Sequence, residues 1–515
     1  MKTVLFLFVL IIYFSNECSS QYSLEWAVRA DSGYVKDMTL DGETNVYLTG
    51  DFGSRYITYK YDNIGNREWS VLDTNNFIFF SDTPWGLVTD DSGNVYVTGE
   101  GWGIPFNKDF KTIKYNILGT KQWKITYDNP AGASDRGYNI VNFRDKYIYV
   151  SGTNSYGDSG SCNFKWTVVK YDLNGNFIWK SQYCGYSDYI LGDYPPGNSM
   201  AVDSLGNVII NGMDKESASG NYFTVTIKYD SSGNQLWQRK IYNNSTGAIV
   251  TDVFSNIYIG IYNKIIKYTS GGDSASFKLT YPPIFIDTDT TGNLIVIGKI
   301  SIGSSEKIIT TKFDHFGNQL WSTESNTGFS PVSICVSKSG RTFIAANGVG
   351  NNYYKYHSFV YNTDGTLFWN AVYDDPLDTA CLPVKIQADE YDNFYITGKS
   401  YGIGTGINIL TLKYSMFTHS SQLQTDYSEK FILFDNYPNP FNPKTIIKYD
   451  LGIANYVSLK IIDIQGKEVK TLVNQKQNAG HYGVEFNGEN LSSGIYFYKL
   501  EAGDFTETKS MVLLK

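Results

Sequence analysis

The sequence predicts an all-β protein: an eight-bladed β-propeller closed by its own N-terminal strand, then a small Ig-like β-sandwich. Three observations carry this. A strand–turn–strand pattern ending in Trp recurs to about residue 415. A second strand pattern, ending in Gly, alternates with it. Beyond residue 430 both vanish, and a Pro-rich stretch opens a different series of short strands.

The first pattern is clearest in Lys228-Tyr229-Asp230-Ser231-Ser232-Gly233-Asn234-Gln235-Leu236-Trp237. Copies begin at Lys60, Lys114, Lys170 and Lys312 and end at Trp69, Trp123, Trp179 and Trp321; Tyr361 to Trp369 is another, and Lys267 to Phe277 is a decayed one. Each has alternating β-formers, an Asp or Asn that opens a turn, and a Gly that supplies positive φ. The second pattern reads Asp91-Ser92-Gly93-Asn94-Val95-Tyr96-Val97-Thr98-Gly99, and its eight copies end at Gly50, Gly99, Gly152, Gly212, Gly260, Gly298, Ala346 and Gly398. Their mean spacing is about 50 residues, a propeller-like period with four short strands per unit. We label these strands A to D, with the Asp-x-x-Gly-Asn turn between A and B and the Trp on D.

The last unit has its A, B and C strands, ending at Lys413-Tyr414, but no Trp strand follows. The missing D strand is at the other end of the chain, where Tyr22-Ser23-Leu24-Glu25-Trp26 matches Asn234-Gln235-Leu236-Trp237. Pairing these ends closes the ring and removes exposed sheet edges. A seven-bladed ring is the alternative, because the unit at 245–280 is short and degraded.

The chain's 515 residues allow two or three domains. Lys2, the apolar run Val4 to Phe14 and polar Ser15 to Ser20 read as a signal peptide over 1–20, cleaved between Ser20 and Gln21. That run is too short to span a bilayer, and no later stretch is long enough for a transmembrane segment. The propeller takes 21–415. Residues 416–430, rich in Ser, Thr and Gln, form a linker, and 431–515 form the last domain. There, Asn436-Tyr437-Pro438-Asn439-Pro440-Phe441-Asn442-Pro443 precedes period-2 segments separated by turns at Gly466, Gly488, Gly494 and Gly503. Short strands at this density predict a sandwich.

A net charge of −8 with scattered Lys leaves no phosphate-binding stripe, which argues against nucleic acid. Cys162 and Cys184 flank the third C–D turn symmetrically and are the disulfide candidate, worth roughly 3 kcal/mol in the chain-entropy model. Cys335 and Cys381 lie about one unit apart, and the sequence leaves their state open. Only four His occur, with no His-Glu-x-x-His or Cys-x-x-Cys spacing, so we expect no metal and no cofactor. The Asp-x-x-Gly-Asn turns hold too few oxygens each for Ca²⁺, which takes about six to eight, and read as turn caps. Gly157-Asp158-Ser159-Gly160 lacks the His and Asp of a nucleophilic triad. One Trp per unit on the same strand reads as packing between blades.

In an up-and-down blade the A–B and C–D turns share one face, and the B–C and D–A connections share the other. The first set is short and uniform, whereas the second varies in length and composition. Ligand binding is therefore expected on the variable face. The candidates are Trp102, Tyr156, Tyr186, Tyr189 and Tyr194, with the acids Asp188 and Asp193 beside them. Flat aromatics with carboxylates suit a polysaccharide or a surface protein.

Residues 431–515 resemble the type A C-terminal sorting domain of type IX secretion, found in Bacteroidota and relatives. The resemblance rests on Tyr437 to Pro443 (with Pro438, Asn439, Pro440, Asn442 and Pro443), Lys460 to Asp463, Gly466 to Val469, Ser492 to Leu500 (with Gly494 and Tyr496) and Lys515. It implies the type IX machinery as a partner and delivery across the outer membrane, to the medium or the cell surface. Residues 30–415 resemble the bacterial β-propeller repeat family, which implies no single activity. The Asp…Gly…Trp arrangement also resembles the docking motif of quinone-dependent eight-bladed propellers, but that family's adjacent Cys pair and calcium ligands are absent from the sequence. The expected function is non-catalytic binding or adhesion outside the cell. The alternatives are a polysaccharide lyase or hydrolase using loop carboxylates and Tyr, with Asp188 and Asp193 the first pair to test, then a quinone-dependent oxidoreductase.

Overall fold

The computed structural model describes residues 21–514 apart from 31–32, 74–80, 104–106, 128–133, 156–163, 187–198, 218–219, 243–246, 304, 350–352, 374–379, 403–405, 418–431, 434–435, 437–438, 452–454, 478–479 and 504. Among the described residues every regular element is a strand. Residues 20–418 form one compact unit, and residues 419–515 belong to a second.

Among the described residues the first unit holds eight four-stranded antiparallel sheets, each built from strands consecutive in the chain except the last. Their A strands are Tyr34–Leu40, Thr83–Thr89, Asp135–Phe143, Met200–Val202, Ile249–Thr251, Pro283–Thr288, Phe329–Val336 and Cys381–Ala388. The unit at 245–280 keeps all four strands, at three to five residues each. In the last sheet Cys381–Ala388, Phe394–Gly402 and Gly406–Phe417 are completed by Gln21–Ala30, paired from Gln21 opposite Phe417 to Ala30 opposite Ile409. The N-terminal strand is thus the D strand of the final sheet, as its resemblance to the Trp strands predicts.

The A strands are tied in sequence around a ring. Leu87 N donates to Asp37 Oδ2 at 3.2 Å, Asn142 Nδ2 to Thr89 O at 2.8 Å and Asn139 Nδ2 to Ser199 Oγ at 2.7 Å. Thr251 Oγ1 donates to Val202 O at 3.2 Å and Thr288 Oγ1 to Thr251 O at 3.1 Å. Val336 N donates to Asp287 Oδ2 at 3.0 Å and Ile386 N to Ser333 Oγ at 3.2 Å. Lys385 Nζ then meets Asp37 Oδ1 at 3.2 Å, joining the last A strand to the first.

The repeat residues bind each sheet to the next. The Trp indole donates to a carbonyl in the neighbouring C–D turn: Trp69 to Ile117, Trp123 to Leu173, Trp179 to Ser231 and Trp321 to Thr363. The repeat Lys reaches the same carbonyl, as Lys114 does at Leu173 and Lys170 at Ser231. The Trp ring then covers the turn glycine; a methyl group on Gly233 (φ 91°) would lie 2.7 Å from Trp179. Gly is needed there for the left-handed backbone and for the ring's approach. Between these contacts the cores are apolar and lie between adjacent sheets, as where Tyr22, Phe343, Tyr356, Phe394 and Tyr414 pack together.

In the second unit, Ile432–Leu433, Lys444–Leu451 and Gly480–Asn487 form one sheet, and Glu468–Gln477, Asn455–Ile462, Gly494–Ala502 and Phe505–Leu513 form another. Both supply one core, with Ile447, Tyr449 and Phe486 from the first sheet, Leu459, Ile461, Tyr498, Leu500, Met511 and Leu513 from the other, and Phe441 from the segment bridged to Leu513. The Pro-rich stretch lies along the last strand. Val512 N donates to Asn439 Oδ1 at 2.9 Å, Phe441 N to Val512 O and Leu514 N to Phe441 O. The Asn439–Pro440 peptide is cis.

Candidate ligand-binding face

Each A strand runs from the D–A side to the A–B turn. The start of A, the end of B and the start of C therefore meet at the variable face. The opposite face is chemically closed. At Asp90 the carboxylate accepts Ser92 N at 3.1 Å, Asn94 N at 2.9 Å, Asn94 Nδ2 at 2.8 Å and Tyr96 OH at 2.8 Å. Asp203, Asp252, Asp289 and Asp389 take the same backbone and Asn partners. These carboxylates cap turns, which occupies their oxygens. A shallow depression of about 380 Å³ on this side is lined by Val202, Asp203, Thr251, Asp252, Thr288 and Asp289, among others.

The variable face differs. Six A strands carry a bulge near their start, after Val35, Pro84, Gly137, Pro283, Pro331 and Pro383. A bulge re-aims one side chain and recurs beside functional sites. In the first three sheets the extra residues are Lys36, Trp85 and Tyr138. They stand in line: Lys36 Nζ is 4.5 Å from the centre of the Trp85 ring, and the Trp85 and Tyr138 rings are 5.9 Å apart. Trp85 Nε1 is withdrawn from water and has no protein acceptor.

The position after the repeat Gly of strand B is charged in four of the sheets, as Asp51, Glu100, Lys299 and Lys399, and Asp51 and Lys399 lie beside this row. Lys36 Nζ lies 4.0 Å from Asp51 Oδ2, and Lys399 Nζ lies 5.0 Å from the centre of the Tyr34 ring, itself 41% exposed. Burial raises the Asp51 pKa against the pull of Lys36 and Lys399. Burial and then Lys36 hold the Lys399 pKa below its ordinary value, with Asp51 opposing. Asp51 thus stands at the edge of ion-pair distance from Lys36 and within the field of Lys399.

Of the predicted ligand-binding residues, Trp102 and Tyr186 are among those described. Trp102 ends the second B strand, and its N–H donates to Asp82 Oδ1 at 2.8 Å. Asp82 is paired with the buried Lys111, which stands 3.8 Å from Asp73; Lys124 and Lys121 reach Asp73 at 2.9 and 3.1 Å. Burial would raise the Asp73 pKa, but these lysines outweigh it and lower it. Glu100, two residues before Trp102, pairs with Lys108 and takes Arg136 Nε at 3.0 Å. A buried ionic network therefore roots the Trp102 connection. Tyr186 follows the third D strand, and its N–H donates to buried Asp214 at 2.8 Å, which also accepts Tyr183 OH at 2.8 Å. Trp102 and Tyr186 belong to connections of different sheets, one after a B strand and one after an outermost strand. Tyr156, Asp188, Tyr189, Asp193 and Tyr194 lie outside the described residues, as do Ser20, Cys162, Pro438 and Lys515.

Tyr34, Lys36, Asp51, Trp85, Tyr138 and Lys399 escaped the sequence reading. A-strand starts carry no turn signal, so the bulges are invisible in one sequence. The charged residues that follow the repeat Gly in four units are legible in the sequence and lead to Asp51 and Lys399.

Two further groups sit deeper in the ring. Burial pushes Asp287 up to about 6 and the Cys335 thiol up to about 12, so that thiol stays protonated. Cys335 and Cys381 are not disulfide-bonded, and Cys184 is. Among the described residues no cluster of three or more His, Cys, Asp or Glu could hold a metal ion, and no helix is long and apolar enough to cross a membrane.

Residues 435–514 match the family of secretion system C-terminal sorting domains. This domain signals export through the type IX secretion system to the cell surface or extracellular space. The sorting-domain positions Asn439, Pro440, Asn442, Pro443, Gly466, Gly494 and Tyr496 all fall in the matched region. Upstream, the chain is 24% identical over 334 residues to an uncharacterized WD repeat-containing protein of Acanthamoeba polyphaga mimivirus; the match takes in 56% of this chain and 22% of that protein. The chain thus spans about a fifth of the length of that relative. Among solved structures, the Dos1 propeller is 10% identical with a TM-score of 0.48, covering 76% of this chain and 95% of that one. The β-propeller domain of the Trilobed protease from Pyrococcus furiosus is 9% identical with a TM-score of 0.40, covering 67% and 97%. PorZ, a surface component of the type IX system of Porphyromonas gingivalis, is 11% identical with a TM-score of 0.28, covering 93% and 81%.

Proposed function

We propose that this exported β-propeller protein is a non-catalytic binding or adhesion protein of the cell surface or extracellular space, with its ligand on the variable face. One observation carries the reading: the two faces of the ring have opposite chemistry. On the turn face the Asp carboxylates are consumed by their own turns. On the other, Lys36, Trp85, Asp51 and Lys399 converge from three sheets beside connections that carry further aromatics. The finer architecture belongs to the same reading. The ring is eight-bladed over 21–415, supported by eight four-stranded sheets and the Lys385–Asp37 closure. A signal peptide over 1–20 precedes it, Cys162 is the partner of Cys184, a linker over 416–430 follows, and an Ig-like sandwich over 431–515 is the sorting domain. A polysaccharide is the favoured ligand and a surface protein the alternative.

The test is a glycan array probed with the secreted full chain and with Trp102→Ala/Tyr186→Ala. Binding that is lost in the variant supports the reading. Binding that survives unchanged, or a purified partner that docks on the turn face, overturns it.

A further inference from the structure

Lys36, Lys399, Trp85, Tyr34, Tyr138 and Asp51 come from four sheets, and no single repeat explains them. The chain is acidic overall, at −8, yet Lys36 Nζ stands 4.0 Å from Asp51, and Lys399 Nζ stands over the ring of Tyr34, the residue paired with Asp51 across the first sheet. Lysines are point charges that attract an anion without demanding a planar partner. The flanking rings offer flat apolar faces, and Asp51 accepts hydroxyl hydrogens. Trp85 Nε1 adds an N–H that the protein leaves without an acceptor.

We propose that this mouth binds an anionic sugar residue, its carboxylate or sulfate between Lys36 and Lys399 and its ring against Tyr34 and Trp85. The inference rests on the variable-face reading above and names the ligand class. A neutral sugar leaves the two ammonium groups with Asp51 as their one neighbouring carboxylate, whereas an acid group adds a second negative charge and is favoured by the partly dry surroundings. An acidic peptide supplies the charge but no polyol for Asp51. The site binds and holds; no bond is made or broken.

The experiment is calorimetric titration of the secreted full chain with oligogalacturonate, a sulfated dextran oligomer and a neutral malto-oligosaccharide. Acidic oligomers bind, the neutral one does not, and raising the salt weakens binding. Lys36→Gln/Lys399→Gln weakens binding about tenfold or more, with an unchanged melting temperature. Lys399→Arg retains binding, and Tyr34→Ala, an exposed change that leaves the core intact, weakens it. Preference for the sulfated over the carboxylated oligomer identifies which acid group is read. Equal binding of neutral and acidic oligomers, no binding of any acidic oligomer, or full binding by the folded double Gln variant overturns the inference. If instead Trp102→Ala/Tyr186→Ala abolishes sugar binding while the Gln variants do not, the variable-face reading stands and this inference alone fails.

Discussion

The indole Nε1 of Trp26 donates to the carbonyl of Asn63 at 3.1 Å, and the same ring covers Gly65. Lys413 Nζ meets that carbonyl at 2.9 Å. Both ends of the propeller chain thus grip one turn of the first sheet. This contact is the repeat contact, formed between residues 37 apart in one case and 350 in the other.

It follows that Gly65→Ala destabilises the ring. Gly65 has φ 89°, and a methyl group would sit 2.9 Å from the Trp26 ring. The cost is about 1–3 kcal/mol from the left-handed backbone and the clash. Gly42→Ala, with open space around it, changes stability by less than about 0.5 kcal/mol. Denaturant unfolding of the two variants checks this.

Removing the N-terminal strand has a different effect. Without residues 21–30 the strand Gly406–Phe417 becomes a bare edge. The truncated chain is expected to self-associate, since exposed edges template pairing. Size-exclusion chromatography should show oligomers, and a monomer of ordinary stability would refute the prediction.

Lys111 is the most exacting charge in the first two sheets. Its ammonium is buried between Asp82 and Asp73, and burial lowers its pKa. Lys111→Met strands Asp82 without its partner and costs about 3–5 kcal/mol. Lys121 and Lys124 remain on Asp73. Thermal unfolding near neutral pH measures the loss.

Asp287 predicts a pH dependence. Its folded pKa is raised to about 6 by burial, against the N–H groups of Thr288 and Val336 and the charge of Lys385, with Asp289 adding to the rise. A raised carboxyl pKa means that the neutral form is favoured in the fold. Its contribution is complete below pH about 4 and is lost as pH rises through about 6. Asp287→Asn keeps an oxygen for Val336 N and cannot ionise. Relative to the parent, the variant gains stability from pH 4 to 7, by about 1–3 kcal/mol, and then levels off. A constant difference across that range contradicts the assignment.

Much of this fold is legible because the repeat contacts are local chemistry repeated in register. Asp230, Gly233 and Trp237 each do one job: the Asp caps a turn, the Gly turns left-handed, and the Trp reaches the next carbonyl. Even the decayed unit conforms, with Phe277 against Gly317 where a Trp would stand. The site was harder to read. Trp102 and Tyr186 stood out as aromatics in variable connections, but Lys36, Trp85 and Lys399 became neighbours only when separate sheets met at the ring. Contacts between residues about 50 to 360 positions apart, set by a bulge of one residue, leave no local trace.

The most direct test of the binding account is hydrogen–deuterium exchange of the secreted chain with and without oligogalacturonate. The account predicts slower exchange in peptides spanning 33–36, 51–55, 83–86 and 399–402, and no change across the turns at 203–207, 252–256 and 289–293. Protection confined to those turns, or none at the mouth at saturating oligomer, would contradict it.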